Sequence, residues 1–147
     1  MAMVSPMPYA QAAAREPRRE TPRRTLERGK VTFVVRPRVR GGEVRPTRPA
    51  GDEALADVQR FLLLLEPEGG GRARRVAVGR KRLPRKAAGE RFWASVGRTA
   101  PCMEDLWEDL GPSSYPTKTR GLRHQRAAHA VATGSYRIVE HGSHAHL

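Results

Sequence analysis

Cysteine is almost missing from this chain: Cys102 is the only one in 147 residues. That excludes an internal disulfide framework and any zinc module built from several cysteines, and it suits a reducing, cytoplasmic setting. Aromatic residues are also few, with two Trp, three Tyr and three Phe. Any stacking on nucleobases would be limited, with Trp93 as the main candidate. Long apolar runs are absent as well. The Phe-Leu-Leu-Leu-Leu run at 61–65 falls far short of the roughly 18 residues a membrane helix needs, so no membrane partner is expected. The arginine pairs Arg18-Arg19 and Arg23-Arg24 are not followed by a hydrophobic segment, which argues against twin-arginine export.

Acid is the scarcest charge. Basic residues number 28 against 15 acidic ones, for a formal net charge of +13. Such a balance favours nucleic acid, another polyanion or an acidic protein as partner. Lysine accounts for only Lys30, Lys81, Lys86 and Lys118, so the other 24 cations are arginine. A GC-rich coding bias raises Arg, Ala, Gly and Pro together, so charge by itself does not separate a binding surface from composition.

The first 29 residues, broken by Pro6, Pro8, Pro17 and Pro22, read as a disordered basic tail with no apolar period to bury. Residues 30–147 read as a single domain. Within it, residues 30–36 alternate as a β-strand that Pro37 stops. Residues 36–51 read as a solvated Gly/Pro-rich connection. Residues 52–65 fit either a helix capped by Asp52 or a strand. The adopted reading is a short helical turn, then a strand over 60–66 that turns at Gly69-Gly70-Gly71 into a second strand over 73–79. A further strand over 91–96 would place Phe92, Ala94 and Val96 on the core and Trp93 outside. Met103, Leu106, Trp107 and Leu110 fall at i, i+3, i+4 and i+7 between Pro101 and Gly111-Pro112, which predicts an amphipathic helix over 100–110. Glu108 and Asp109 would sit against its macrodipole and call for basic compensation. The fold class expected is therefore α+β: a mainly antiparallel sheet of five or six strands with one amphipathic helix.

Three groups of residues could carry chemistry. Arg80, Lys81, Arg82, Arg85 and Lys86 load the loop between two predicted strands with cations. Lys118, Arg120, Arg123 and Arg126, with Thr117, Thr119 and Gly121 among them, combine hydroxyls, guanidinium forks and a permissive glycine, the elements of a phosphate or carboxylate site. The spacing is not that of a phosphate-binding P-loop. The third group is the C-terminal run Tyr136 to Leu147, where Gly142-Ser143 matches a two-residue hairpin turn. That register sets His141 opposite His144 and Val139 opposite His146, with the three histidines on one face beside Arg137. The opposite face, with Tyr136, Ile138, Ala145 and Leu147, is the expected core side. Three imidazoles so placed could ligate zinc or another divalent metal with a position left for water. Terminal histidines are also often merely exposed. Cys102 near a helix start could favour a thiolate, although no histidine partner is evident.

The segments GRKRLP, TKTRG-x-RH and His-x-His-Leu resemble an uncharacterised group of small prokaryotic proteins, over residues 30–147. In that group the final segment runs on into a further apolar strand, which implies that the sequence ends here in mid-element. Leu122 stands where the group has a polar residue. The resemblance implies no activity. Binding of a phosphate-rich ligand, nucleic acid before small molecule, is the function expected. The alternatives are a metal-dependent hydrolase using the histidine hairpin with Arg120 or Arg123 on the transition state, and a protein-interaction module with an acidic partner.

Overall fold

Strands dominate the computed structural model, which describes residues 23–41, 57–79, 81–83 and 91–147. In chain order they are β1 (Arg24–Pro37), β2 (Arg40–Gly41), β3 (Val58–Pro67), β4 (Ala73–Val78), β5 (Ala94–Ala100), β6 (Ser113–Thr117), β7 (Gly121–Gln125), β8 (His129–His141) and β9 (His144–His146). Six of them form one antiparallel sheet in the order β5-β4-β3-β1-β8-β9, and β2-β7-β6 form a small second sheet. The larger sheet curls into a half-barrel. Residues 24–29, read from sequence as tail, belong to β1 and pair with β8.

The inner strand β1 is buried on both faces along residues 31–35, where the β-branched run carries only Thr32 as a polar side chain. Val34 packs with Leu62, Leu64 and Leu106 on one face, while Val31 packs with Leu65, Val76 and Tyr136 on the other. Each such side chain, fully removed from water, contributes about 1.5–3 kcal/mol. Gly29 allows the closest approach in the sheet. A Cβ there would lie 2.1 Å from the Glu66 carbonyl oxygen and 2.7 Å from the Tyr136 ring, so the ring of Tyr136 occupies the space a side chain would need. Tyr136 donates to Glu27 at 2.5 Å, and Arg74 donates to the same carboxylate oxygen. Burial first, and then the Glu27 carboxylate, push the Tyr136 hydroxyl up to about 12.

The expected α+β class is not what the chain adopts. The helix predicted over 100–110 is absent, and its place is taken by the end of β5 and a four-residue 3-10 turn, Glu104–Trp107. Among the described residues this turn is the only helical element. The apolar period had identified the right contacts: Leu106 and Leu110 are buried, and Met103 and Trp107 pack against them. Backbone bonding differs. Leu106 N–H donates to Met103 and Leu110 N–H to Trp107, both three residues back. The Leu106 carbonyl, which an α-helix would give to Leu110, instead accepts from Arg75 at 3.0 Å. Arg36 takes the carbonyls of Asp109 and Gly111 at 3.3 and 3.2 Å. Arg75 thus takes a carbonyl that helical bonding would use, Arg36 satisfies two at the segment's end that a helix would leave unpaired, and 3-10 turns place side chains three apart on one side as an α-helix does.

The strand expected over 91–96 also moves, to Ala94–Ala100. Val96 pairs with Val76 in register yet stays 56% exposed, because β5 is an edge strand. The β3–β4 hairpin has the predicted partners, with Leu63 opposite Val76. The helical turn expected near Asp52 lies outside the described residues.

Candidate functional site

Strand register sorts the candidate residues to opposite ends of β1. Val35, Phe61, Val78 and Ala94 are successive partners across four strands. The C-terminal end of β1 therefore lies level with Asp57 before β3, with Lys81 and Arg82 after β4, and with Trp93 before β5. At the N-terminal end, Thr25 pairs with Val139 and Arg24 with Glu140, which places the histidine hairpin there. The two ends are separated by up to about 40 Å along the strand.

At the first end, Asp57 gathers arginines. Its carboxylate accepts from Arg40 at 2.5 Å and from Arg126 at 3.0 Å, and Arg38 approaches at 3.7 Å. Arg38 also donates to the Lys81 carbonyl at 3.1 Å. This pair of contacts joins the described part of the first basic loop to the base of the second. Gln125 donates to the Pro37 carbonyl at 2.7 Å, and β2 pairs with β7 through Arg40 opposite His124. The small sheet is thereby docked on the same end.

The stretch 117–121 is the turn of the β6–β7 hairpin. Gly121 has a φ of +65°, a left-handed conformation that glycine adopts without a Cβ clash. The Thr117 hydroxyl donates to the Gly121 carbonyl at 2.8 Å and accepts from the Arg120 N–H at 3.0 Å. That hydroxyl therefore holds the turn. Lys118 and Arg120 project from it, and Arg123 follows on β7, where its guanidinium lies over Gly41. None of these three is in an ion pair among the described residues. Leu122 is 52% exposed.

Arg82 lies over the Phe92 ring at 5.1 Å, a cation–π contact that fixes the loop's exit. Gly79 makes room for that ring, since a Cβ there would meet it at 2.3 Å. Trp93 is 92% exposed, and its carbonyl accepts from Gly79 N–H. Arg80, Arg85 and Lys86 lie outside the described residues.

At the other end, β8 and β9 pair with His141 opposite His144 and Val139 opposite His146, across the Gly142-Ser143 turn. The nitrogens of His141, His144 and His146 lie within 4.8 Å of one another. His141 and His146 border an open cleft of about 670 Å³ with Arg23, Thr25, Arg137 and Val139. Arg120 and Arg123 are not near it, so the arginines that could act with these histidines are Arg137 and Arg23. Leu147, expected on the core side, is 62% exposed.

Cys102 is exposed. The Asp105 N–H favours its thiolate, but the side chains of Asp105 and Glu104, with some desolvation, outweigh that and raise its pKa. Its setting is not that of an activated nucleophile.

Sequence reasoning overlooked Asp57 as the hub and treated Arg38 and Arg40 as a solvated connection. Their signal was present, because Arg36, Arg38 and Arg40 alternate and so share one side of an extended chain. Arg23 was unmarked for the histidine end. No protein-family model, curated protein or solved structure matches this chain. Its function is therefore read from these geometries.

Proposed function

We propose that the chain binds a phosphate-rich polyanion, nucleic acid foremost, through the basic end of the sheet. One observation carries this reading: three arginines share the carboxylate of Asp57, and on the hairpin docked at that end Lys118, Arg120 and Arg123 have no acid partner among the described residues. Cations that served only the fold would be matched by acids, since uncompensated like charges repel. Here the surplus is concentrated on one docked hairpin and the strand ends beneath it. Guanidinium forks suit phosphate oxygens, and phosphate contact without base reading gives weak sequence selectivity. Trp93, exposed at the same end of the sheet, adds a stacking platform. That feature favours single-stranded nucleic acid over a bare polyanion, at about 1–3 kcal/mol per stacked base.

The test is a titration of single-stranded and duplex oligonucleotides at several salt concentrations. Affinity should fall steeply with salt. The Lys118→Ala/Arg120→Ala/Arg123→Ala variant should lower both the affinity and the slope, the latter by about 0.7–0.9 for each phosphate no longer neutralised. Trp93→Ala should weaken single-strand binding by about tenfold or more and leave duplex binding nearly unchanged. Unchanged affinity and slope in the folded triple variant would overturn the reading.

A further inference from the structure

The histidine hairpin stands apart from the basic end, and nothing in polyanion binding uses it. We propose that His141, His144 and His146 hold a divalent transition metal, zinc by ligand type, with one coordination position left for an anionic oxygen ligand beside Arg137 and Arg23.

The backbone sets the arrangement. Ladder pairing of β8 with β9 fixes the register, and Gly142 at φ +64° makes the tight turn possible. His144 and His146 are two residues apart on one strand, so they share a face, and His141 joins them from across the turn. Ring centroids lie 4.7 to 6.3 Å apart. A tetrahedral ion with metal–nitrogen bonds of 2.0–2.1 Å needs its ligand nitrogens about 3.4 Å apart. The nitrogens lie within 4.8 Å of one another, and His144 and His146 are exposed. Small side-chain rotations, with no backbone shift, close the set. Sites held on regular strands need little ordering on binding.

Ligand chemistry selects the metal class. Three imidazoles, grouped with no carboxylate among the described residues, suit zinc and its neighbours, whereas calcium and magnesium require oxygen ligands. Glu140 pairs with Ala145 and so faces the other side. Three neutral imidazoles leave the ion's double charge uncompensated. Arg23 and Arg137, which line the same cleft as His141 and His146, add positive charge rather than balancing it. The fourth ligand that such a field favours is an anion with oxygen donors, of the phosphate or carboxylate type. An exposed histidine cluster without a role would show neither metal stoichiometry nor a coupled anion, and the experiment separates the two.

The full-length chain, freed of metal by a chelator, is titrated with zinc by calorimetry. One ion per chain is expected. His144→Ala/His146→Ala should weaken binding by more than about 100-fold, since loss of a merely supporting residue already costs about 10–100-fold. Both replaced residues are exposed, so the metal-free variant should unfold at the parent's temperature, and that measurement serves as the control for folding. No zinc bound by the parent, or stoichiometric zinc kept by the double variant, overturns the site. Cobalt is then substituted and its visible bands followed as inorganic phosphate or acetate is added. A band shift with either anion, weakened in Arg137→Gln, supports the open position. Bands unmoved by both anions overturn the anion ligand, and a shift unaffected by Arg137→Gln overturns the part given to Arg137.

Discussion

Two sets of arginines in this protein have the same side chain and opposite consequences. Arg75 and Arg98 face Glu108 and Asp109 in equal numbers: Arg75 grips Asp109 with two bonds at 2.5 and 3.0 Å, and Arg98 reaches Glu108 and Asp109. Glu108 and Asp109 do meet bases, but by ion pairing across the fold and not, as expected, to offset the macrodipole of a helix that is absent. At the other place Arg38, Arg40 and Arg126 share Asp57, and three more cations follow on the β6–β7 hairpin with no acid partner among the described residues. The first set ties the segment 101–112, between β5 and β6, to the sheet. The second leaves charge unmatched. A composition count assigns both to one surplus, and only their partners tell a structural arginine from one available to a ligand.

The largest effect should come from removing what the first set holds in place. Leu106, in the 3-10 turn of that segment, is fully buried, so Leu106→Ala should cost about 3 kcal/mol through lost burial and the cavity left behind. Chemical denaturation checks it, and oligonucleotide affinity of the folded fraction should not change. A loss of affinity matching the loss of stability would merge the two regions.

Arg75→Ala comes next. Its side chain is 14% exposed, and its removal leaves the Leu106 carbonyl and the Asp109 carboxylate without their donor. A cost of about 2 kcal/mol is expected. The salt slope of polyanion binding should stay at the parent value, which sharpens the contrast with the Lys118, Arg120 and Arg123 replacements.

The smallest effect concerns acid. Hydrogen bonding from Arg75 holds the Asp109 carboxyl at about 2, below its ordinary 3.8. A depressed folded-state value means that the ionised form stabilises the fold. That contribution is complete above about pH 4 and is lost as the pH falls toward 2. Because Asp109 is 56% exposed, solvent and salt screen the pair and the loss should be modest. Asp109→Asn should remove this part of the acid sensitivity in thermal melts recorded between pH 5 and 2, and an identical acid profile in the variant would exclude the Arg75 bond as its source.

The residues themselves determined the local parts of this architecture. A period of two with β-branched residues made β1 a strand, Gly69 and Gly70 turned β3 back onto β4, and Gly142-Ser143 set the histidine register. Each depends on φ/ψ preference and side-chain alternation within a few neighbours, which a sequence displays directly. The same reading of apolar spacing carried the right contacts for Met103, Leu106, Trp107 and Leu110, but not their backbone. The 3-10 turns found there leave carbonyls for Arg36 and Arg75, which arrive from distant strands and which local spacing does not reveal. Tertiary structure alone likewise joined Arg38, Arg40 and Arg126 on Asp57 and set the histidines at the far end of β1 from Arg120 and Arg123. The physical reason is that hydrogen bonds and ion pairs form between groups that the chain has first brought together, and sequence separation does not record that distance.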